Sequence, residues 1–403
     1  MKVQLASYND CTGCGACKAS CNKDAIRFCY DRNGFLRPTL DKDKCIECEL
    51  CVKACPVLNK GKLLYNDPFK YACYTAWTKD DDLCRKCSSG GVSTQLMIEF
   101  LLCDNSVVYG AAMSDHNTCA HVKATNAEEL ERIIGTKYIQ SDASWALKDA
   151  AMSLKAGERV LFSGTPCQIA ALYSIVPDRW HNNLYTIELI CHGTPSKLCS
   201  DYTARYYDCI SVIAHRHKNT GWFINGQKHS SLPLMTKEGN VKIIEGKNFF
   251  NKCYSNFMNP SCFNCSYAKP ERLADLTIGD QWGLAGLLPD RAYLGASSVI
   301  ACSEKGQSLL RNSGLYLRED MMSTINAPNI FHPTWNVLGP WLARHAYISN
   351  HLSLKNAFAF LQLNHREIPL LILIKMIMRF GNLHNKKKNK EIINNIRKEY
   401  NWK

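Results

Sequence analysis

The sequence predicts a mixed α/β (α+β) fold: a small loop-rich unit, a larger body of strands and helices, and a helical tail. Three observations carry this. A four-cysteine run at residues 11–21 recurs at 45–55, so the front of the chain is an internal repeat. From Tyr71 onward, short apolar segments alternate with stretches of helical spacing, the pattern of a sheet covered by helices. Residues 366–403 hold ten Lys or Arg against three Glu, so more than half of the net charge of +13 lies in the tail. The expected divisions are 1–60, 70–145, 146–335 and 336–403.

The first division is the most specific. Cys11, Cys14, Cys17 and Cys21 stand at C-x2-C-x2-C-x3-C, and Cys45, Cys48, Cys51 and Cys55 repeat that spacing, with Pro56 after the last. This is the spacing of a bacterial two-cluster ferredoxin. Three thiolates on a tight loop cap three irons of a cubane, and the fourth ligand comes from the other run. One 4Fe–4S cluster is therefore expected on Cys11, Cys14, Cys17 and Cys55, and a second on Cys45, Cys48, Cys51 and Cys21. Zinc knuckles pair two C-x2-C motifs across a longer spacer and do not repeat three cysteines at this interval. Asn22 stands where a proline usually follows the first run. Gly13, Gly15 and Ala16 are small, as close approach of backbone to a cluster requires.

Composition agrees. The chain has 22 cysteines in 403 residues, and its start, MKVQLASYNDC, has no apolar stretch before Cys11. Many cysteines without an export signal imply metal or redox use in a reducing compartment, so the cytoplasm is expected. Because the positive charge is concentrated at one end, no nucleic-acid partner is expected.

The body follows in order. Val107–Met113 and Ala120–Ala124 read as strands, and Asn126–Ile134 and Ala143–Ala156 as helices, the first capped by Asn126. Arg159–Ser163 and Leu184–Ile190 read as buried strands, followed by helices at Gln168–Ile175 and Pro195–Tyr206. Further strands are expected at Val212–His217, Phe223–Lys228, Val241–Ile244, Asp275–Gly279 and Ser298–Cys302. No G-x-G-x-x-G follows a strand, so a standard dinucleotide fingerprint is unsupported. In the tail, residues 352–363 read as helical. Ile368–Phe380 is apolar with embedded cations and too short to span a bilayer, which needs about 20 apolar residues. It reads as a helix packed on the body, or as a peripheral contact with an anionic membrane surface or a partner groove.

A second cysteine constellation lies in the body. Cys167 follows Thr165-Pro166 at a strand-to-helix turn, where a helix N-terminus favours a thiolate. Cys191 follows an apolar strand, and Cys262 and Cys265 form a C-x2-C. These four are expected to hold a third 4Fe–4S cluster. Cys84 and Cys87 form another C-x2-C and read as incidental. Cys29, Cys73, Cys103, Cys119, Cys199, Cys209, Cys253 and Cys302 read as core packing.

The segments SSGG (88–91), GTKYIQSD (135–142), LFSGTPCQIAAL (161–172), CHGTPS (191–196), CFNC (262–265) and ADLTIGDQWG (274–283), in that order, resemble the coenzyme F420 hydrogenase/dehydrogenase beta-subunit family over residues 70–320. The resemblance implies an iron–sulfur flavoprotein with FAD beside a 4Fe–4S cluster. It implies FAD contacts from Ser89, Gly90, Gly91, Lys137, Gln140 and Ser141, and a cofactor-lining role for Asp280 and Trp282. Where the family often has Arg-Asp-Lys, this chain has His215-Arg216-His217-Lys218. Arg216 and Lys218 read either as holders of an anionic substrate or as surface charge.

The function expected is transfer of electrons between ferredoxin-type clusters and FAD. Clusters carry one electron at a time, and a flavin takes two as hydride. The other participants are a redox partner protein or ferredoxin and an unidentified organic substrate or deazaflavin-like coenzyme. His192, beside Cys191, is the expected proton supplier. A non-catalytic electron-transfer subunit of a larger redox complex would carry the same cofactors.

Overall fold

The computed structural model describes residues 3–321 apart from 115–116, 219–220, 222, 225–226, 229–230, 247, 251–257 and 312. The expected tail division, with its basic helix and possible membrane contact, lies outside the described residues, as does Cys253.

The front unit is loop-rich. Its α1 (Ala16–Ala19) and α2 (Leu50–Lys53) each follow a cysteine loop, and β1 (Ile26–Tyr30) pairs antiparallel with β2 (Leu36–Leu40) between them. Left-handed residues at Gly15 and Glu49 turn the chain sharply into α1 and α2.

The body is built on one eight-stranded sheet. Its strands are β3 (Ala72–Thr78), β4 (Ser106–Ser114), β5 (Thr118–Ala124), β6 (Arg159–Gly164), β7 (Leu184–Leu189), β13 (Leu276–Asp280), β14 (Ser297–Ala301) and β15 (Leu315–Asp320). The spatial order is β15-β3-β14-β13-β7-β6-β4-β5. The central β13, β7, β6 and β4 are mutually parallel and the flanking pairs antiparallel. Near-continuous apolar runs such as Val160-Leu161-Phe162, all fully buried, fit parallel strands covered on both faces. On one face lie α6 (Ser144–Lys155) and α7 (Pro166–Ile175), with Leu147, Ile169 and Leu172 in one core. On the other lies α4 (Val92–Leu101), with Leu96, Met97 and Phe100 in a second. Short α3 (Asp81–Lys86) precedes α4, and α5 (Ala127–Leu130) follows β5. Beyond β7, α8 (Lys197–Tyr206) leads into a small sheet of β8 (Cys209–Val212), β11 (Leu232–Thr236) and β12 (Val241–Ile244).

Several expectations are corrected. The strand expected at Val212–His217 ends at Val212, and the irregular backbone after it buries His215 and Arg216. Phe223–Lys228 is two short antiparallel strands, β9 (Phe223–Ile224) and β10 (Gln227–Lys228). The helix from Asn126 keeps its expected cap, the Asn126 side chain accepting from the Glu129 N–H, but closes at Leu130. Cys29 and Cys103 are exposed, not packed in a core.

Candidate redox site

The cysteine loops of the front unit assemble two thiol sets. Burial raises the pKa of Cys14 and Cys17, and nearby sulfurs raise it further: Cys11 and Cys55 act on both, and Cys167 acts on Cys14. Burial likewise raises Cys51, with added repulsion from Cys21 and Cys45. Cys55 therefore stands with Cys11, Cys14 and Cys17, and Cys21 with Cys45 and Cys51, while Cys48 is exposed. Backbone N–H groups point at several sulfurs: Ala25 N–H lies 3.3 Å from Cys21 Sγ, and N–H groups of Val57 and Leu58 oppose the burial of Cys55.

A third set forms where β6 and β7 end. Thr165 opens α7, its N–H donating to Gln168 Oε1 at 3.0 Å, and this turn presents Cys167. Burial pushes Cys167 up to about 12, with repulsion from Cys191 and Cys265, and Thr165 Oγ1 lies 3.2 Å from its sulfur. Burial pushes Cys191 and Cys262 up to about 12, with repulsion on Cys191 from Cys262 and Cys265 and on Cys262 from Cys265 and Cys167. The Thr194 N–H donates to Cys262 Sγ at 3.4 Å. No group of three or more His, Cys, Asp or Glu among the described residues is arranged for a single metal ion. Each set gathers several thiols, some of them with ionisation opposed by burial, and N–H donors are aimed at individual sulfurs. That donor chemistry fits an iron–sulfur cubane.

An open cleft joins these sets to the carboxyl ends of the parallel strands, where open α/β sheets place ligands. It holds about 1160 Å³ of free space counted to its mouth, and both Cys14 and Cys167 line it. So do Ser163 and Gly164 from β6, Leu189 from β7, and Gly279 and Asp280 from β13. The opposite wall is the start of α4, with Gly91, Val92, Ser93 and Thr94. Gly91 has φ +77°, and a Cβ there would meet Thr78 Cγ2 at 2.8 Å. The first turn of a ten-residue helix, with no side-chain cap from Gly91, thus lines the cavity.

The residues carried over by resemblance divide. Ser89, Gly91, Lys137, Gln140, Ser141 and Asp280 line the cleft. Gly90 and Trp282 are not among the lining residues. Gly90 is needed elsewhere, since a Cβ there would lie 2.6 Å from Ala76 O and 2.8 Å from Ser297 N. Trp282 is 45% exposed. Lys137 Nζ donates to the carbonyls of Ile133, Ile134 and Gly135 at 2.6, 2.8 and 3.0 Å, and burial pulls its pKa down to about 8. Gln140 is spent on the front unit: its Oε1 accepts from Leu36 N–H at 2.7 Å and its Nε2 donates to Thr12 O at 3.2 Å. His192 is half-buried and is not among the cleft-lining residues.

Arg216 and Lys218 are not surface charges. Arg216 is buried, and its Nη1 donates to both Asp280 oxygens at 3.1 and 2.9 Å. Lys218 is buried, with Nζ 2.6 Å from the carbonyls of both Ser89 and Leu294. Sequence reasoning missed His121. Its ring stacks on Phe162 at 5.2 Å, Nε2 lies 2.9 Å from Ser163 O and Nδ1 2.8 Å from Ser141 Oγ. A carbonyl only accepts, so Nε2 carries the proton and Nδ1 accepts from Ser141. Ser141 then offers lone pairs, not its proton, to the cleft. Nothing in the alternation of β5 distinguishes His121 from an ordinary strand residue.

The front unit is stapled to the body beside the cleft. Arg37 donates to Cys11 O and, at 2.9 Å, to Asn259 Oδ1. Lys18 pairs with Asp142 at 3.2 Å. A Cβ on Gly15 would lie 2.9 Å from Ser144 N, at the start of α6.

Comparison with known proteins gives three family matches: the 4Fe–4S dicluster domain at residues 10–59, the N-terminal part of the coenzyme F420 hydrogenase/dehydrogenase beta subunit at 73–148, and its C-terminal part at 157–320. An uncharacterized protein of Methanocaldococcus jannaschii is 25% identical over 202 residues, covering 44% of this chain and 55% of that protein. The chain thus spans about half the length of that relative. A chain of the F420-reducing nickel–iron hydrogenase complex of Methanosarcina barkeri is similar at a TM-score of 0.44 and 20% identity, over 64% of this chain and 83% of that one.

Proposed function

Because this chain belongs to the coenzyme F420 hydrogenase/dehydrogenase beta-subunit family and carries a 4Fe–4S dicluster domain in front, we propose that it is an iron–sulfur flavoprotein oxidoreductase. Its clusters would exchange single electrons with FAD, which exchanges two with an organic substrate or deazaflavin-like coenzyme. The observation that carries the reading is the cleft, which has cluster-type thiols Cys14 and Cys167 on one wall and the N-terminus of α4 on another.

The dicluster would use Cys11, Cys14, Cys17 and Cys55 for one cluster and Cys21, Cys45, Cys48 and Cys51 for the other. A third cluster would use Cys167, Cys191, Cys262 and Cys265. Bound FAD supplies the two-electron chemistry. The α4 N-terminus with Gly91 would receive its pyrophosphate, since a helix N-terminus favours an anionic group. Ser141, fixed as an acceptor by His121, would orient an N–H or hydroxyl of the bound group. Asp280, held by Arg216, presents a fixed carboxylate to the cleft. For proton supply, Lys137 inside the cleft is preferred to His192, which borders the third thiol set. The working divisions are a dicluster unit and a two-part flavin body, with a reducing cytoplasm as the setting and a redox protein as the electron partner. A second reading is supported by the family's own description as a beta subunit: the chain passes electrons and a partner subunit performs the chemistry.

The test is cofactor analysis after anaerobic purification. About twelve irons and one FAD per chain support three cubanes beside a flavin. About eight irons without flavin would reject the assignment of the body. Reoxidation of the reduced flavin by added substrate in the isolated chain separates the enzyme from the relay subunit.

A further inference from the structure

The pair Cys84 and Cys87 is not incidental. Both are buried, at the end of α3 and just ahead of the Ser88–Gly91 loop. The Cys87 N–H donates to Cys84 O at 3.2 Å, so one tight turn holds the two residues. Cys87 lines the cleft, and its sulfur lies 3.2 Å from Thr94 Oγ1. Cys84 stands behind it, where two cations converge on its sulfur: Lys218 Nζ at 3.6 Å and Arg291 Nη2 at 3.5 Å. Arg291 also pairs with Asp81 at 2.7 Å. Lys218 has no carboxylate in ion-pair range among the described residues, and its other contacts are two carbonyls. A buried ammonium is stabilised by a nearby anion, and the Cys84 sulfur is the group within its reach that could become one.

We propose that Cys84 and Cys87 form a dithiol–disulfide couple in the cleft wall that exchanges two electrons with the flavin. The inference rests on the proposed flavin for its electron donor. In the forward direction the two-electron-reduced flavin anion gives two electrons and one proton and becomes oxidised flavin. The S–S bond breaks. Cys87, on the cleft side, takes the proton as a thiol. Cys84 leaves as a thiolate, its charge met by Lys218 and Arg291. An asymmetric couple of this kind, with one sulfur lining the cleft and one met by charge behind it, is what directed thiol–disulfide chemistry requires. It would give the protein a two-electron store between the flavin and an external disulfide or thiol substrate.

The experiment uses the full chain, anaerobically purified with its cofactors, and with Cys103→Ser to remove the exposed thiol on the same peptide. Protein is treated with diamide, quenched with N-ethylmaleimide and digested with trypsin without reductant. Trypsin cuts at Arg85 and Lys86, between the two cysteines, so a disulfide appears as peptide 80–85 joined to peptide 87–123. Released flavin is quantified from the same sample. The expected result is the joined pair after diamide, and its loss when the flavin is photoreduced with a sacrificial donor. Maleimide on both cysteines after diamide, with no joined pair, overturns the couple. A joined pair that survives full flavin reduction overturns its exchange with the flavin. A joined pair in protein that contains no flavin rejects the flavin reading and, with it, this electron donor, while the dithiol chemistry stands.

Discussion

Gly15 offers a sharp test of the joint between the cluster loop and the body. Its φ is +98°, and a Cβ would stand 2.9 Å from Ser144 N, 3.0 Å from Ser144 Cα and 3.3 Å from Ser144 Cβ. Two of those atoms are backbone at the start of α6 and cannot swing away. Gly15→Ala then costs about 1–2 kcal/mol for a left-handed alanine, plus about 1–3 kcal/mol for forcing the packed surfaces apart. Gly157→Ala is the matched control, since it has φ +85° with nothing within 4 Å of the added Cβ. It carries the conformational cost alone. The difference of about 1–3 kcal/mol corresponds to roughly a 5- to 150-fold more populated opening of the joint. The assay is the rate of iron release to a chelator under anaerobic conditions, with both variants beside the parent. Iron loss from Gly15→Ala faster than from Gly157→Ala by that factor is expected. Equal rates would refute the docking of the cluster loop on α6.

Other predictions follow from the same geometry. Cys167→Ser should lower iron from about twelve to about eight per chain and leave the dicluster's reduced signals in place by electron paramagnetic resonance. Arg272 pairs with Glu188 at 3.4 Å, both buried, and Glu188 also accepts from Thr277 Oγ1 at 2.8 Å. Arg272→Met should cost about 3–5 kcal/mol by leaving a buried carboxylate unpaired, read as a lowered thermal midpoint, and Arg272→Met with Glu188→Gln should recover much of it. Burial drives His121 from 6.5 to about 4. As pH falls through 6.5 the unfolded chain binds that proton and the folded chain does not. Stability is therefore lost between pH 6.5 and 5, by about 2 kcal/mol for this group, and His121→Gln should flatten that slope in denaturant titrations. Lys137→Met should release flavin on gel filtration of the purified protein.

The parts legible in the sequence are those whose chemistry is local. The two cysteine runs announce themselves because a cubane fixes ligand spacing within a single loop. The parallel strands were readable because burial on both faces leaves continuous apolar runs at 159–163 and 184–190. The cleft was only half readable. Gly90 looked like a cofactor glycine, yet its missing side chain makes room for β3 and β14. Gln140 sits in the carried-over segment, but its amide bonds reach back to Thr12 and Leu36, more than a hundred residues away. Arg216 and Lys218 read equally as holders of an anionic substrate or as surface charge, because nothing in a one-dimensional pattern shows that Asp280 and the Ser89 carbonyl wait for them. His121 and the Cys84–Lys218 contact share this cause: their meaning lies in partners brought up from other strands.

The staple at Arg37 has a consequence for how the protein is made. Arg37 is translated early, and its partner Asn259 comes 222 residues later, just ahead of Cys262 and Cys265. The ribosome therefore releases the front unit first, then the docking contacts at Gln140, Asp142 and Ser144, and only much later the one at Asn259. During that interval the early cysteine loops have α6 and Gln140 to rest on, and the Arg37 contact closes just before Cys262 and Cys265 are made. The joint is thus closed in stages by the order of synthesis, first against α6 and last at Asn259.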